Sequence, residues 1–156
     1  ANLTMTKVGA NYVVKAKNAG YEFQYPATWF TLDNTEYDIH ISNKKMDVGD
    51  DMLGKRPGEV TLEVIYLVNG KPADISLFDY IKQNAAPAGG ACPCSLVKLT
   101  NHTVVKTEFS GGEGPSGPGY ALQNPKYPEQ YIHFIVYGTS ESKTVETIID
   151  SFRFTK

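Results

Sequence analysis

The sequence has little of several features that would narrow its function. Only 2 of its 156 residues are cysteine, and its 15 basic and 17 acidic residues nearly balance, for a formal net charge of −2 at pH 7. Binding to nucleic acid requires several basic groups on one face, so no nucleic-acid partner is expected. No stretch approaches the ~20 consecutive apolar residues of a membrane-spanning helix. The chain also begins without the apolar segment of a signal peptide. We expect either that such a segment has been removed from an exported protein or that it is absent from this sequence.

The composition is that of an ordinary globular protein. Apolar residues make up 41% of the chain and charged residues 21%, both close to the average for folded domains. A chain of this length buries about two-thirds of the surface that it exposes when unfolded, which is enough for one hydrophobic core. We therefore predict a single domain over residues 12–156, preceded by a polar, flexible lead-in at residues 1–11.

Periodic apolar residues predict both strands and helices. In residues 21–25 three aromatic side chains fall on every second position, and therefore on one face of a strand. Residues 59–68 and 130–137 are apolar on both faces, which is typical of central strands. Apolar residues at helical spacing predict one helix over residues 74–85 and another that ends near Phe152. Strands and helices together indicate an α+β domain.

Two segments near the ends of the chain form a recognisable frame. One is the run Tyr-x-Phe-x-Tyr-Pro-x-x-Trp at residues 21–29, and the other is Ile-Ile-Asp-Ser-Phe-Arg-Phe at residues 148–154. Together they resemble the PsbP family and its bacterial PsbP-like relatives. The resemblance implies a PsbP-like α+β sandwich, in which a central, mostly antiparallel sheet has helices packed on both sides.

The same resemblance implies a class of function. Members of this family are mostly exported proteins, among them photosystem-associated subunits, lipoproteins and protein-binding modules, and the family has no common catalytic motif. The resemblance therefore implies a non-catalytic domain that works outside the cytoplasm, in the periplasm, at the cell surface or in a lumen. Its expected partner is another protein or a component of the cell envelope.

The two cysteines, Cys92 and Cys94, are separated only by Pro93 in a loop. A disulfide between them suits an oxidising compartment. The alternatives are a pair of free thiols and redox or metal chemistry, as in a thiol-redox enzyme. However, thioredoxin-type motifs have two intervening residues and lie at a helix start, and a zinc site would need two more ligands. A second loop is predicted over residues 111–119, which are too rich in glycine and proline for regular structure.

A cluster of aspartates offers ligands for a cation. Asp47, Asp50 and Asp51 carry the carboxylate oxygens that calcium prefers, but their spacing is not that of an EF-hand loop. Three acidic residues that precede the cluster can contribute: Asp33, Glu36 and Asp38. A calcium site and a solvated acidic loop are the two interpretations, and no other cofactor is expected.

The three histidines, His40, His102 and His133, lie on three different predicted strands, at residues 38–42, 102–109 and 130–137. If these strands are neighbours, the histidines can converge on a metal ion or on a Ser-His-Asp hydrolytic site. The sequence contains no Gly-x-Ser-x-Gly elbow, so separate histidines on strand faces are the simpler interpretation. A small hydrolytic enzyme is thus an alternative to the binding function.

Tyrosine and proline residues are concentrated late in the chain. Tyr120, Tyr127 and Tyr131 can form a contact surface, because a tyrosine offers a large contact area at a low entropic cost. The alternative is that these tyrosines cover the sheet. The sequence thus predicts a binding module, and the three tyrosines are its candidate surface.

Overall fold

The computed structural model describes residues 2–46, 56–84, 93–108 and 116–156, and of Asp33 and Ser116 it describes the backbone alone. The described residues form eleven strands and two helices. The strands are β1 (Leu3–Val8), β2 (Asn11–Ala16), β3 (Tyr21–Pro26), β4 (Phe30–Thr35), β5 (Asp38–Ser42), β6 (Thr61–Leu67), β7 (Cys94–Lys98), β8 (Thr103–Thr107), β9 (Ser116–Gln123), β10 (Tyr131–Tyr137) and β11 (Arg153–Phe154). The helices are α1 (Leu77–Asn84) and α2 (Ser142–Asp150).

The strands build two antiparallel sheets. The smaller sheet has the order β1-β2-β3-β11, and the larger has the order β4-β5-β6-β10-β9-β8-β7. Strands make up 47% of the structure and helices only 13%. The predicted α+β sandwich with helices on both sides of a central sheet is therefore wrong, and the fold is mostly β. The two described helices, of eight and nine residues, are too short to cover a seven-stranded sheet.

The main hydrophobic core lies between the two sheets and α2. The rings of Phe23 and Phe152 stack with their centroids 6.4 Å apart, and Phe134 of β10 meets Phe152 edge-on at 5.7 Å. Trp29 belongs to the same cluster and is 7% exposed. The three aromatic residues that alternate in residues 21–25 are thus buried in the core, as predicted. Trp29 and Phe152 are buried with them, and Phe154 is partly buried against the same cluster. We call the face of the larger sheet that meets this core the inner face, and the opposite one the outer face.

The two helices lie against different clusters. Helix α2 buries Val145, Ile148 and Ile149 in the main core, which confirms the predicted helical spacing. Helix α1 buries Leu77 and Ile81 in a smaller cluster with outer-face residues of β8, β9 and β10. Neither of these helices, and no other part of the described chain, combines the length and apolar character that a helix needs to span a membrane.

The segment expected to be a flexible lead-in instead forms strand β1. It pairs with β2 from Leu3 opposite Ala16 to Val8 opposite Asn11. The hairpin turns over two residues, and Gly9 adopts a φ of +63° there, which glycine tolerates without strain. Leu3 and Met5 pack against the main core, whereas Thr4 and Thr6 on the other side of this edge strand are exposed.

The segment expected to be a glycine- and proline-rich loop is partly a strand. Residues 116–119 belong to β9, which pairs with β10. Between Ser116 and Gly119 two residues lie opposite the single Val136, which is the arrangement of a β-bulge. A bulge accommodates a proline, here Pro118. Its neighbour Gly117 leaves no room for a side chain, because a Cβ there would lie 2.5 Å from the backbone oxygen of Gly138. Tertiary pairing therefore recruits residues whose local preference is for a turn.

Candidate metal centre on the outer face of the larger sheet

Three potential metal ligands lie together on the outer face. Asp38 and His40 are two residues apart on β5 and therefore project from the same face, while Ile39 between them is buried in the main core. Strand β5 pairs with β6 so that His40 lies directly opposite Glu63. The register of the sheet thus brings one imidazole and two carboxylates together.

The distances within this cluster are short. One candidate ligand atom from each residue lies within 4.8 Å of those of the other two. Nε2 of His40 is 3.4 Å from Oε2 of Glu63, and Nδ1 of His40 is 4.0 Å from Oδ1 of Asp38. The side chains of His40 and Glu63 are 19% and 17% exposed, whereas that of Asp38 is 48% exposed. The cluster is therefore partly shielded from water and opens to solvent beside Asp38.

Tyr137 of β10 supports the Glu63 carboxylate. Its phenol donates a hydrogen bond of 3.1 Å to Oε1 of Glu63. Burial and the negative charge of Glu63 raise the pKa of Tyr137 to about 12, so the phenol keeps its proton at neutral pH. Hydrogen bonding to His40 lowers the pKa of Glu63, although burial acts in the opposite direction. Glu63 is therefore ionised at neutral pH.

His133 lies on the same face but outside the cluster. It is opposite Ile65 of β6, and Ile65 is opposite Asp38 on its other side. Burial lowers the pKa of His133, and the negative charge of Glu63 partly offsets this effect. His133 is therefore neutral at neutral pH, and strand β6 separates it from β5, which carries Asp38 and His40.

The donor set suits a transition metal better than calcium. Mixed imidazole and carboxylate ligands are typical of zinc and its neighbours, whereas calcium prefers oxygen alone. Tetrahedral ligands about 2.0–2.1 Å from zinc stand about 3.3–3.4 Å apart, and the separation between His40 and Glu63 is 3.4 Å. Asp38, His40 and Glu63 together offer three protein ligands. A zinc site with three protein ligands leaves a fourth position for water or another ligand.

The structure does not bring the three histidines together. His102 precedes β8, which is separated from β6 by β10 and β9. Its Nε2 contacts the backbone oxygen of Phe152, so His102 links the start of β8 to the start of β11. His40 and His133 share the outer face, but β6 lies between their strands. The predicted histidine cluster is thus replaced by one histidine with two carboxylates.

The tyrosines expected to form a contact surface are mostly buried. Tyr120 is 2% and Tyr131 is 9% exposed. Tyr131 lies under α1, with its ring 6.3 Å from that of Tyr80. Tyr120 lines a cavity of about 290 Å³ beside α2, where burial and the charge of Glu146 raise its pKa to about 12. Of the three predicted residues, only Tyr127 keeps a partly exposed side chain.

Other predicted site residues fall partly or wholly outside the described residues. Cys94 begins β7 and is disulfide-bonded, but Cys92 lies outside the described part of the chain, so the pairing of these two residues stays a prediction. The predicted calcium ligands Asp47, Asp50 and Asp51 also lie outside the described residues. The calcium site therefore stays a prediction as well.

Glu63 is the candidate ligand that no sequence pattern predicted. It is the one charged residue in the strand β6, which is otherwise apolar apart from Thr61. A charge within a central strand is a signal, because a partly buried carboxylate needs a partner. The sequence does not name that partner, and only the pairing of β5 with β6 identifies it as His40.

No model of a known protein family matches the chain, and no curated protein sequence matches it. The PsbP-like resemblance of residues 21–29 and 148–154 therefore stays a prediction.

Proposed function

We propose that this protein is a non-catalytic binding domain that holds a divalent transition-metal ion of the zinc class between Asp38, His40 and Glu63. The proposal depends on one observation, which is that ligand atoms of these three residues lie within 4.8 Å of one another on a partly buried sheet face. All three residues belong to paired strands, and ligands on regular elements are held more precisely than ligands on loops.

The charges of the cluster support a bound cation. Glu63 is ionised and 17% exposed, and the carboxylate of Asp38 is close to it. Two carboxylates in a partly buried site repel each other, and a divalent cation between them relieves this repulsion. A neutral imidazole provides the lone pair that zinc accepts. A metal ion therefore satisfies all three side chains at once.

The proposal includes a place of action outside the cytoplasm, as the PsbP-like resemblance implies. The disulfide-bonded state of Cys94 supports this part, because disulfides persist mainly in oxidising compartments. Such compartments include the periplasm, the cell surface and organelle lumens. A domain there meets metal ions directly from its surroundings.

Isothermal titration calorimetry with Zn²⁺ tests the metal-binding function. The wild-type protein is expected to bind one equivalent at the cluster. His40→Ala and Glu63→Gln are each expected to weaken binding by at least about 100-fold, because loss of a direct ligand costs more than the 10- to 100-fold loss typical of an outer partner.

The matched control for this titration is His102→Gln. His102 precedes β8, which is separated from the cluster's strands β5 and β6 by β9 and β10, so its replacement is expected to leave the zinc affinity unchanged. Binding of full strength in both His40→Ala and Glu63→Gln would place the zinc elsewhere and overturn the proposal.

Binding to another protein or to an envelope component is a second candidate function, and the edge of the larger sheet favours it. Within the described residues β7 is the last strand of that sheet. Leu96 at its centre is 60% exposed. An edge strand can pair with an extended segment of a partner, and an exposed apolar side chain adds contact area.

Photocrosslinking in producing cells tests this second candidate. A photoreactive residue at position 96 is expected to give a defined adduct with one partner. Val8 is the matched control, because it is 59% exposed on β1, an edge strand of the smaller sheet. Equal labelling from positions 8 and 96, or none from position 96, would count against a partner at β7.

A further inference from the structure

Tyr137 lies outside the ligand cluster but is hydrogen-bonded to one of its members. It is the last residue of β10. Its phenol donates a hydrogen bond of 3.1 Å to Oε1 of Glu63, while Oε2 of the same carboxylate lies 3.4 Å from Nε2 of His40. The two oxygens of Glu63 thus have different partners. One is held by Tyr137, and the other is directed to the neighbouring ligand.

We propose that Tyr137 is a positioning residue that makes Glu63 a one-oxygen ligand and thereby selects a zinc-class ion over calcium. This inference rests on the proposed function. A carboxylate whose first oxygen accepts a hydrogen bond presents the second oxygen to a metal. Calcium takes six to eight oxygens, often both from one carboxylate, whereas tetrahedral zinc takes one atom from each ligand.

The sheet holds Tyr137 in the geometry that this role requires. Glu63 lies directly opposite Ile135 on β10, so Tyr137 is its diagonal neighbour on the same face, within reach of a long side chain. The residue that follows, Gly138, has a φ of +97°, and a Cβ there would lie 2.5 Å from the backbone oxygen of Glu59. The chain is therefore closely packed just beyond Tyr137.

Tyr137→Phe tests the role directly, because it removes the hydroxyl and keeps the ring. We expect the affinity for Zn²⁺ to fall about 10- to 100-fold, as is typical when an outer hydrogen-bond partner of a ligand is lost. The affinity for Ca²⁺ is not expected to fall, so the ratio of the two affinities changes. Co²⁺ is a spectroscopic probe, and its strong tetrahedral visible bands in the wild type are expected to weaken in the variant as the coordination number rises.

Tyr131→Phe is the matched control. Tyr131 lies on the same strand and the same face, at the opposite end of β10, where its ring packs near Tyr80 under α1. This variant is expected to keep the wild-type zinc affinity and cobalt spectrum. Thermal unfolding of both metal-free variants shows whether each is folded.

The outcomes separate this inference from the proposed function. A wild-type protein that binds no zinc overturns both. A wild type that binds zinc at the cluster, with unchanged affinity ratio and cobalt spectrum in Tyr137→Phe, overturns the positioning role alone. A crystal structure of the zinc-bound wild type tests the role without any variant, since it should show one oxygen of Glu63 on the metal. Coordination by both oxygens would contradict it.

Discussion

Strand β6 separates two regions of the molecule that differ in what holds them together. On its inner face Leu62 and Val64 are fully buried in the main core, where close packing and removal of apolar surface from water contribute stability. On its outer face Glu63 belongs to a partly exposed cluster of charged groups, whose net contribution to stability is small. Stability and candidate function therefore lie on opposite faces of one sheet, and each can be changed without the other.

The largest expected effect is on the inner face. Phe134 is fully buried and its ring contacts those of Phe23 and Phe152, so Phe134→Ala is expected to lower the free energy of unfolding by about 3–5 kcal/mol. Urea unfolding of the metal-free protein measures this loss. Ile135→Ala is the control, because Ile135 is the next residue of the same strand and is only partly buried on the outer face. Equal losses in the two variants would show that the inner and outer faces contribute equally to stability, contrary to this comparison.

A smaller effect is expected from pH, through His133 on the outer face. Burial lowers the pKa of His133 in the folded protein below 6.5, so the unfolded state binds the proton more tightly. The stability that depends on neutral His133 is thus present above about pH 6.5 and is lost as the pH falls below it, by at most about 1.4 kcal/mol per pH unit. Urea midpoints between about pH 8 and pH 5.5 measure the slope.

His133→Gln provides the control for this pH dependence, because glutamine does not titrate. The variant is expected to lose stability less steeply than the wild type over the same pH range. An identical slope in both proteins would show that other groups cause the pH dependence.

The smallest effect on stability is expected at the candidate ligands. Glu63→Gln removes the negative charge of a carboxylate whose pKa is lowered by its hydrogen bond with His40. The variant is expected to destabilise the metal-free protein by less than about 1 kcal/mol, because the cluster is partly exposed to water. Chemical denaturation without metal checks this value. A loss as large as that of Phe134→Ala would mean that the outer cluster is part of the structural core.

Features that depend on neighbouring residues were predicted well. The alternation in residues 21–25 and the helical spacing of Val145, Ile148 and Ile149 are local patterns, and both elements are present with the predicted faces buried. Strands β6 and β10, predicted to be central, lie side by side within the larger sheet.

Features that depend on distant partners were predicted poorly. Strand β1 was expected to be flexible, because its order depends on pairing with β2 and on the packing of Leu3 and Met5 against the main core. Residues 116–119 have the composition of a loop, and they form part of a strand because pairing with β10 through a bulge outweighs their local preference. The fold implied by the resemblance, with helices on both sides of a central sheet, also overestimates the helical part of the structure. A second sheet covers the core instead, and its packing against the rest of the fold is not visible in any local pattern.

The candidate site shows this division most clearly. By itself the sequence determined that Asp38 and His40 share one face of a strand and that Glu63 is a charged residue within an otherwise apolar strand. Both follow from the alternation of side chains, which is a property of the local backbone. Only the tertiary structure decided that His40 lies opposite Glu63 and that Tyr137 reaches the same carboxylate. Strand order and register depend on pairing between segments far apart in the chain, where burial of the inner face selects one alignment, and the contacts on the outer face follow from that choice.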